Sequence, residues 1–284
     1  MKTIKVYLSV AFSIGVCGVL FAGCNHRNQN VNYSFKTVEK KEIYRLNEEQ
    51  NAPACDFALK FTCLDEREGD SIARKINRNI RKKVWGEDAG AMDNEEAVET
   101  FYRKYIATYK DEIESLYKED QHSGEKPDEM PTWYNYEYRQ ETAVDGGKPG
   151  ILNYRSTVTE YRGGAHPATT TTWFNIDERT GDVLTFDDVF IAGAREQLIP
   201  LIKEELIRVK AKQHTDLNIQ TWDDLKKNGI LIDDTGEGLF VPDNFLLEKE
   251  MVSFLYNQYD IAPYAEGATK VGISYSMAEK YMLH

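Results

Sequence analysis

The chain is poor in the residues that enzymes most often place at their centres. Among 284 residues there are five histidines, and none stands in His-Glu-x-x-His or His-x-His spacing. Those spacings bring two imidazoles onto one metal ion, so a zinc site is not expected. A Gly-x-Ser-x-Gly elbow is also missing, which removes the common hydrolase nucleophile. Positive charge is scarce as well. With Lys+Arg 35 against Asp+Glu 47, the formal net charge is -12. Nucleic acids and anionic lipid surfaces need clustered Lys and Arg, so neither is an expected partner. No period of 20–50 residues repeats, which excludes solenoids and propellers. Cysteine is nearly absent, with four in all.

Two of the four lie at the N-terminus. Lys2 and Lys5 precede an apolar run, "VYLSVAFSIGVCGVLFAG", that ends at Cys24. A basic start, an apolar core and small residues at the end form a secretory signal. "LFAGC" resembles a bacterial lipobox, with Phe21 a less usual residue in it. The resemblance implies cleavage after Gly23 and lipidation of Cys24. Residues 1–23 are therefore read as a signal peptide, and 24–50, Asn-rich at first, as a tether. The expected location is the cell envelope, lipid-anchored and facing the periplasm from the outer membrane.

Cys55 and Cys63 remain for an oxidising compartment. "CDFALKFTC" alternates like a strand. On one straight strand the two would be roughly 26 Å apart at ~3.3 Å per residue, beyond the ~7 Å reach of a disulfide. A bridge requires a bend between them; without it both are buried thiols.

The remaining pattern is α+β, with antiparallel sheets and packed helices. Ile72, Ile76, Ile80 and Val84 recur every fourth residue and mark a helix capped at Asp70 or Ser71 and stopped at Gly86. Its opposite face carries Arg74, Lys75, Arg78, Arg81 and Lys82. A second helix starts at Asp93, with Glu96 three residues on. Three β-rich segments follow, "TWYNYEYRQETAV", "GILNYRSTVTEY" and "ATTTTWFNID", separated by Gly-rich turns, and read as a meander. A helix containing Pro200, a short helix opened by Thr221 and Asp224, and a final group of strands complete the chain. Helices and strands come in groups, which favours α+β over a parallel sheet.

Three segments carry a family resemblance: "YRGGAHP" at 161–167, "NIDERTGDVLTFDDVF" at 175–190 and "FLLEKEMVSFLYNQYDIAPYAEG" at 245–267. Together they resemble the extracellular domain family of the anti-sigma-V factor RsiV, also found ahead of some peptidoglycan deacetylase domains. Tyr259, Ile261, Pro263, Tyr264 and Gly267 match its Tyr-x-Ile-x-Pro-Tyr-x-x-Gly segment. The N-terminal half, "DFALKFTC" through "INRNI", is similar to the companion domain of those proteins. The resemblance implies two intimately associated subdomains, 51–162 and 163–284. It also implies a non-enzymatic binding module for a glycan such as peptidoglycan or for a basic protein such as lysozyme. Neither sigma-factor release nor deacetylation carries over, because their segments do not accompany these motifs.

Candidate site residues follow from chemistry. Gly163, Gly164, His166 and Pro167 form a structural turn in which the two glycines supply unusual backbone angles and Pro167 holds His166 extended. Aromatic rings stack on sugars and anchor proteins, which makes Trp133, Tyr134, Trp173 and Tyr264 the candidate ligand contacts. Asp177, Asp182, Asp187 and Asp188 cluster in sequence but match no calcium loop. No cofactor and no metal are expected. The alternatives are an envelope-polymer hydrolase or deacetylase working near His166, or a structural subunit of an envelope complex.

Overall fold

The computed structural model describes residues 33–283 except 50, 67–68, 123–130 and 232–237. The signal segment, Cys24 and the start of the tether lie outside the described residues. Among those described, no helix is long and apolar enough to cross a membrane.

A six-stranded sheet forms first along the chain. Its strands are β1 (Phe35–Arg45), β2 (Ala54–Leu64), β3 (Tyr136–Gly146), β4 (Ile151–Arg162), β5 (Ala168–Asp177) and β6 (Val183–Leu184), in sequence order across the sheet. β1 corrects the tether reading. Residues 35–45 pair along all of β2 as an edge strand, and exposed Lys and Glu blunt that edge against further pairing. Their charge made the segment read as solvated chain.

Between β2 and β3 run α1 (Ser71–Trp85) and α2 (Asn94–His122). This crossover makes β2 and β3 parallel, whereas every other pair in the sheet is antiparallel. The Asp70 carboxylate accepts from the Ala73 N–H at 2.8 Å, and Asp93 accepts from Glu96 N–H at 2.7 Å. These caps satisfy donors that a helix start leaves open. α1 is pinned to β2 by buried Asn77, whose amide donates to the Leu64 carbonyl and accepts from its N–H, both at 2.8 Å.

Both helices cover one face of the sheet. Phe57, Leu59 and Phe61 of β2 meet Ile76, Ile80, Tyr105, Tyr109 and Tyr138 in the first core. Cys55 and Cys63 belong to the same row, buried and unbridged on one straight strand. Arg81, placed by sequence on the basic face, is instead buried and donates to the Ala89 carbonyl and to Asn94.

The second core begins at Phe186. α3 (Phe186–Val189), α4 (Ala194–Gln213) and α5 (Trp222–Lys227) precede a three-stranded antiparallel sheet of β7 (Phe245–Leu247), β8 (Met251–Tyr256) and β9 (Thr269–Ser274), and α6 (Tyr275–Ala278) follows it. Leu198, Ile202 and Leu206 of α4 pack with Val252, Phe254, Val271 and Ile273. The helix begins at Ala194 and passes through Pro200, which lies on its exposed side. The Glu196 carbonyl left without a Pro200 N–H can be solvated there.

The division between subdomains also moves. A cut at 162–163 would fall between β4 and β5, which pair over ten positions. The first sheet ends at Leu184 and the second core starts at Phe186. The Gly-Gly turn thus belongs inside the first sheet.

The two sheets meet at the outer edge of β5 through side-chain amides. Asn244 accepts from the Trp173 N–H and donates to the Thr171 carbonyl at 2.8 Å. Asn257 accepts from Thr171 N–H at 2.8 Å, and Gln258 from Thr169 N–H at 2.9 Å. Asn175, buried, donates to the Phe245 carbonyl at 3.0 Å and accepts from Leu247 N–H at 2.7 Å. These amides stand in for a neighbouring strand where β6 is too short to provide one.

Candidate functional site

The face of the first sheet that the helices do not cover forms a groove of about 610 Å³. Strand alternation builds it. Residues i and i+2 share a face, so burying Phe57, Leu59, Tyr138, Gln140, Tyr154 and Ser156 under the helices turns Ala58, Lys60, Arg139, Glu141, Arg155 and Thr157 the other way. Thr159, Thr171 and Trp173 extend the floor, and Leu255 of β8 contributes a wall.

Register arranges these side chains in rows. Lys60, Glu141, Thr157 and Thr171 are successive partners across β2–β5. In the next row Ala143 opposes Arg155, and Arg155 opposes Trp173. The Thr157–Thr171 and Thr159–Thr169 hydroxyls hydrogen-bond across the strands at 3.0 and 2.9 Å. Arg139 pairs with Asp56 and Glu137, and Arg155 with Asp145.

Two buried donors on residues that line the groove have no acceptor among the described residues: the indole N–H of Trp173 and the Nε–H of Arg155. Trp173 is only 7% exposed. A buried donor without an acceptor costs roughly 1–3 kcal/mol.

The Gly163–Pro167 turn closes the far end of β4 and β5. Gly163 has φ +74 and lies against Trp133, whose Cα would be 2.4 Å from an added Cβ. Gly164 does not share the positive φ. His166 stacks on Tyr264 with ring centroids 3.6 Å apart, its Nδ1 lies 3.3 Å from the Pro167 carbonyl, and its Nε2 lies 3.4 Å from the Tyr259 hydroxyl. The Tyr264 hydroxyl donates to the Pro167 carbonyl at 2.9 Å. Tyr259 has φ +69, a strained angle for a residue with a side chain. Its turn is held by Asp260, which accepts from Asn257 N–H at 2.7 Å; burial pushes that carboxyl above its ordinary value. No carboxylate or nucleophile faces the His166 ring in these contacts.

The four aromatic candidates are not brought together. Trp133 is exposed beside the turn and Tyr264 is half-buried within it. Tyr134 is buried under α2, donating to Asp120 and stacked edge-on with Tyr117, so it cannot contact a ligand. Trp173 lines the groove with its ring packed on Leu246 and Leu255, while its indole nitrogen is itself buried. Sequence reading missed Lys60, Arg139, Arg155 and the threonines. Their signal was the polar alternation of "YRSTVTEY", but only the strand order makes one surface of them.

Three of the four clustered aspartates, Asp177, Asp182 and Asp188, have structural duties. Asp177 accepts from Arg179 N–H, Asp182 pairs with Lys75, and Asp188 closes the cap of α3 through Thr185. Among the described residues no group of three His, Cys, Asp or Glu converges. A further depression of about 690 Å³ lies beside α1 and α2, but there Arg74, Lys75, Arg78 and Arg81 are interspersed with Asp65, Glu66, Asp93 and Glu95.

Comparison with known proteins places residues 187–276 in a match to a family described as a protein of unknown function, DUF3298. The chain is similar to the crystal structure of a DUF3298 family member from Bacteroides fragilis NCTC 9343, with TM-score 0.76 and 26% identity over 89% of this chain and 94% of that one. It shares its fold with a DUF3298 family protein from Pseudomonas aeruginosa PAO1, with TM-score 0.56 and 13% identity over 89% and 95% of the two chains. No curated protein matches.

Proposed function

We propose that the protein is a non-enzymatic, lipid-anchored binding module of the cell envelope, and that the groove on the open sheet face takes a glycan. The observation that carries this reading is the open sheet face itself, a groove of about 610 Å³ lined by Thr157, Thr159 and Thr171. Lys60, Arg139 and Arg155 line the same groove. Hydroxyl and N–H donors on a rigid sheet suit a ligand rich in oxygen acceptors, and sugar chains are such ligands. The cations make this groove a poor seat for a basic protein such as lysozyme, although the net charge of -12 suits such a partner elsewhere. Cys24 would supply the membrane tether.

The test is calorimetric titration of the folded protein with soluble peptidoglycan fragments, with lysozyme as the competing ligand. Saturable binding of fragments that Thr157→Val weakens supports the groove. Binding of lysozyme alone, unaffected by that change, would move the site elsewhere.

A further inference from the structure

We infer that the exposed basic stripe of α1 docks on the anionic headgroups of the membrane that holds the protein, an inference that rests on the lipid-anchored reading above. α1 carries several cations and no carboxylate. Arg74, Arg78 and Lys82 succeed one another every fourth residue and share one face, with Lys75 beside them. Arg74 and Arg78 are exposed and have no ion-pair partner among the described residues.

The place where the chain enters the fold sets this stripe beside the anchor. Tyr33, the first described residue, donates its hydroxyl to the Glu178 carbonyl at 2.9 Å. The turn at 177–182 is fastened to α1, because Asn79 donates to the Gly181 carbonyl at 2.7 Å and Lys75 pairs with Asp182 at 2.7 Å. Between Cys24 and Tyr33 the chain reaches about 32 Å at most, whatever its path. A lipid on Cys24 therefore keeps Tyr33 within that distance of the bilayer surface, and α1 lies beside Tyr33.

Arginine suits the headgroups. Its guanidinium fork pairs bidentately with phosphate oxygens, and Arg74 and Arg78 stand one turn apart on the same face. The charges around the stripe are mixed. Asp65, Glu66, Asp93 and Glu95 lie in the depression beside it. There Glu95 is paired to Lys36, Glu66 accepts from Asn77, and Asp93 caps α2. Lys75 and Lys82 are held by Asp182 and Glu87. The net charge of -12 also repels an anionic surface as a whole. The stripe therefore does not recruit free protein; it orients a body that the anchor already holds. Each unpaired cation near an anionic bilayer favours docking about fivefold, so the two arginines favour it roughly 25-fold before the neighbouring acids reduce the figure.

The test is lysine acetylation of the lipidated protein on two kinds of vesicle: phosphatidylcholine alone, and an equimolar mixture of phosphatidylcholine and phosphatidylglycerol. Peptide mapping reads the rate at each lysine. Lys75 and Lys82 should react about fivefold more slowly on the anionic vesicles, while Lys212 and Lys227, exposed on α4 and α5, keep their rates. High salt and the double variant Arg74→Gln/Arg78→Gln should each restore the α1 rates. Equal rates on both vesicles, equal slowing at all these lysines, or slowing that survives high salt or the double variant overturns the docking and leaves the anchor standing. Absence of lipid on Cys24 in the isolated protein overturns the anchor and the docking together.

Discussion

At Gly163 the backbone turns with φ +74 directly against the Trp133 main chain, and an added Cβ would lie 2.4 Å from its Cα. Strain and overlap then act together. Gly163→Ala should cost roughly 1–3 kcal/mol, read as a lower urea midpoint at unchanged slope. Gly164→Ala, at a position open on all sides, should cost far less. A destabilisation at Gly164 equal to that at Gly163 would contradict this account. Residue chemistry also fixes the thiols. Burial pushes Cys55 and Cys63 up to about 12, so both stay neutral and unreactive at ordinary pH. Alkylation followed by peptide mapping should leave both unlabelled in the native protein and label both in denaturant. Rapid native labelling of either would show that β2 opens.

At the scale of elements, the end of α4 and the loop that carries Tyr264 are joined by one buried ionic cluster. Fully buried Lys210 donates to Glu266 at 2.8 Å, and His214 lies 2.9 Å from the same oxygen. Burial alone would raise the Glu266 carboxyl, but the hydrogen bonds from Lys210 and His214 outweigh it and hold it below its ordinary value. A carboxyl depressed in the folded state contributes its full stability above the unfolded value of about 4.3 and loses it as pH falls through the folded value. Stability should therefore decline below about pH 4 in part through this cluster. Glu266→Gln strands the Lys210 ammonium and should cost roughly 3 kcal/mol at neutral pH, with a flatter acid limb in thermal melts. Unchanged melts at pH 7 would show that the cluster contributes nothing.

At the scale of the whole molecule, the amides along β5 join two cores into one structure. Asn175 serves both strands of that junction, bonding Phe245 and Leu247 while paired to β4 and β6. Gly147 allows the same close approach, since an added Cβ would lie 2.4 Å from the Leu247 carbonyl. Asn175→Leu removes the bonds while keeping volume. Its expected signature is a split of one thermal transition into two, because the cores can then melt separately. A single transition at the original temperature would place the coupling elsewhere.

Much of this architecture was written in local patterns. The four-residue spacing of Ile72, Ile76 and Ile80, the Asp70 and Asp93 caps, and the alternation of Phe57, Leu59 and Phe61 depend only on near neighbours along the chain. Periodicity and capping therefore located both helices and the central strands. β1 escaped because its charges suit an exposed edge as well as a tether. The subdomain boundary was misplaced because two glycines mark a turn in any context, whether between units or inside one sheet.

What the sequence by itself determined is the α+β class, the main helices and strands, and the net charge of -12. These follow from side-chain periodicity and composition, which need no knowledge of distant contacts. Only the tertiary structure decided which polar residues share a surface. Lys60 and Trp173 are 113 positions apart along the chain, and strand order with register sets them, with Arg139 and Arg155, in adjacent rows. The same folding buried Tyr134 under a helix and fixed the Trp173 ring against β8. Burial and pairing are properties of the assembled sheets, and no local pattern contains them.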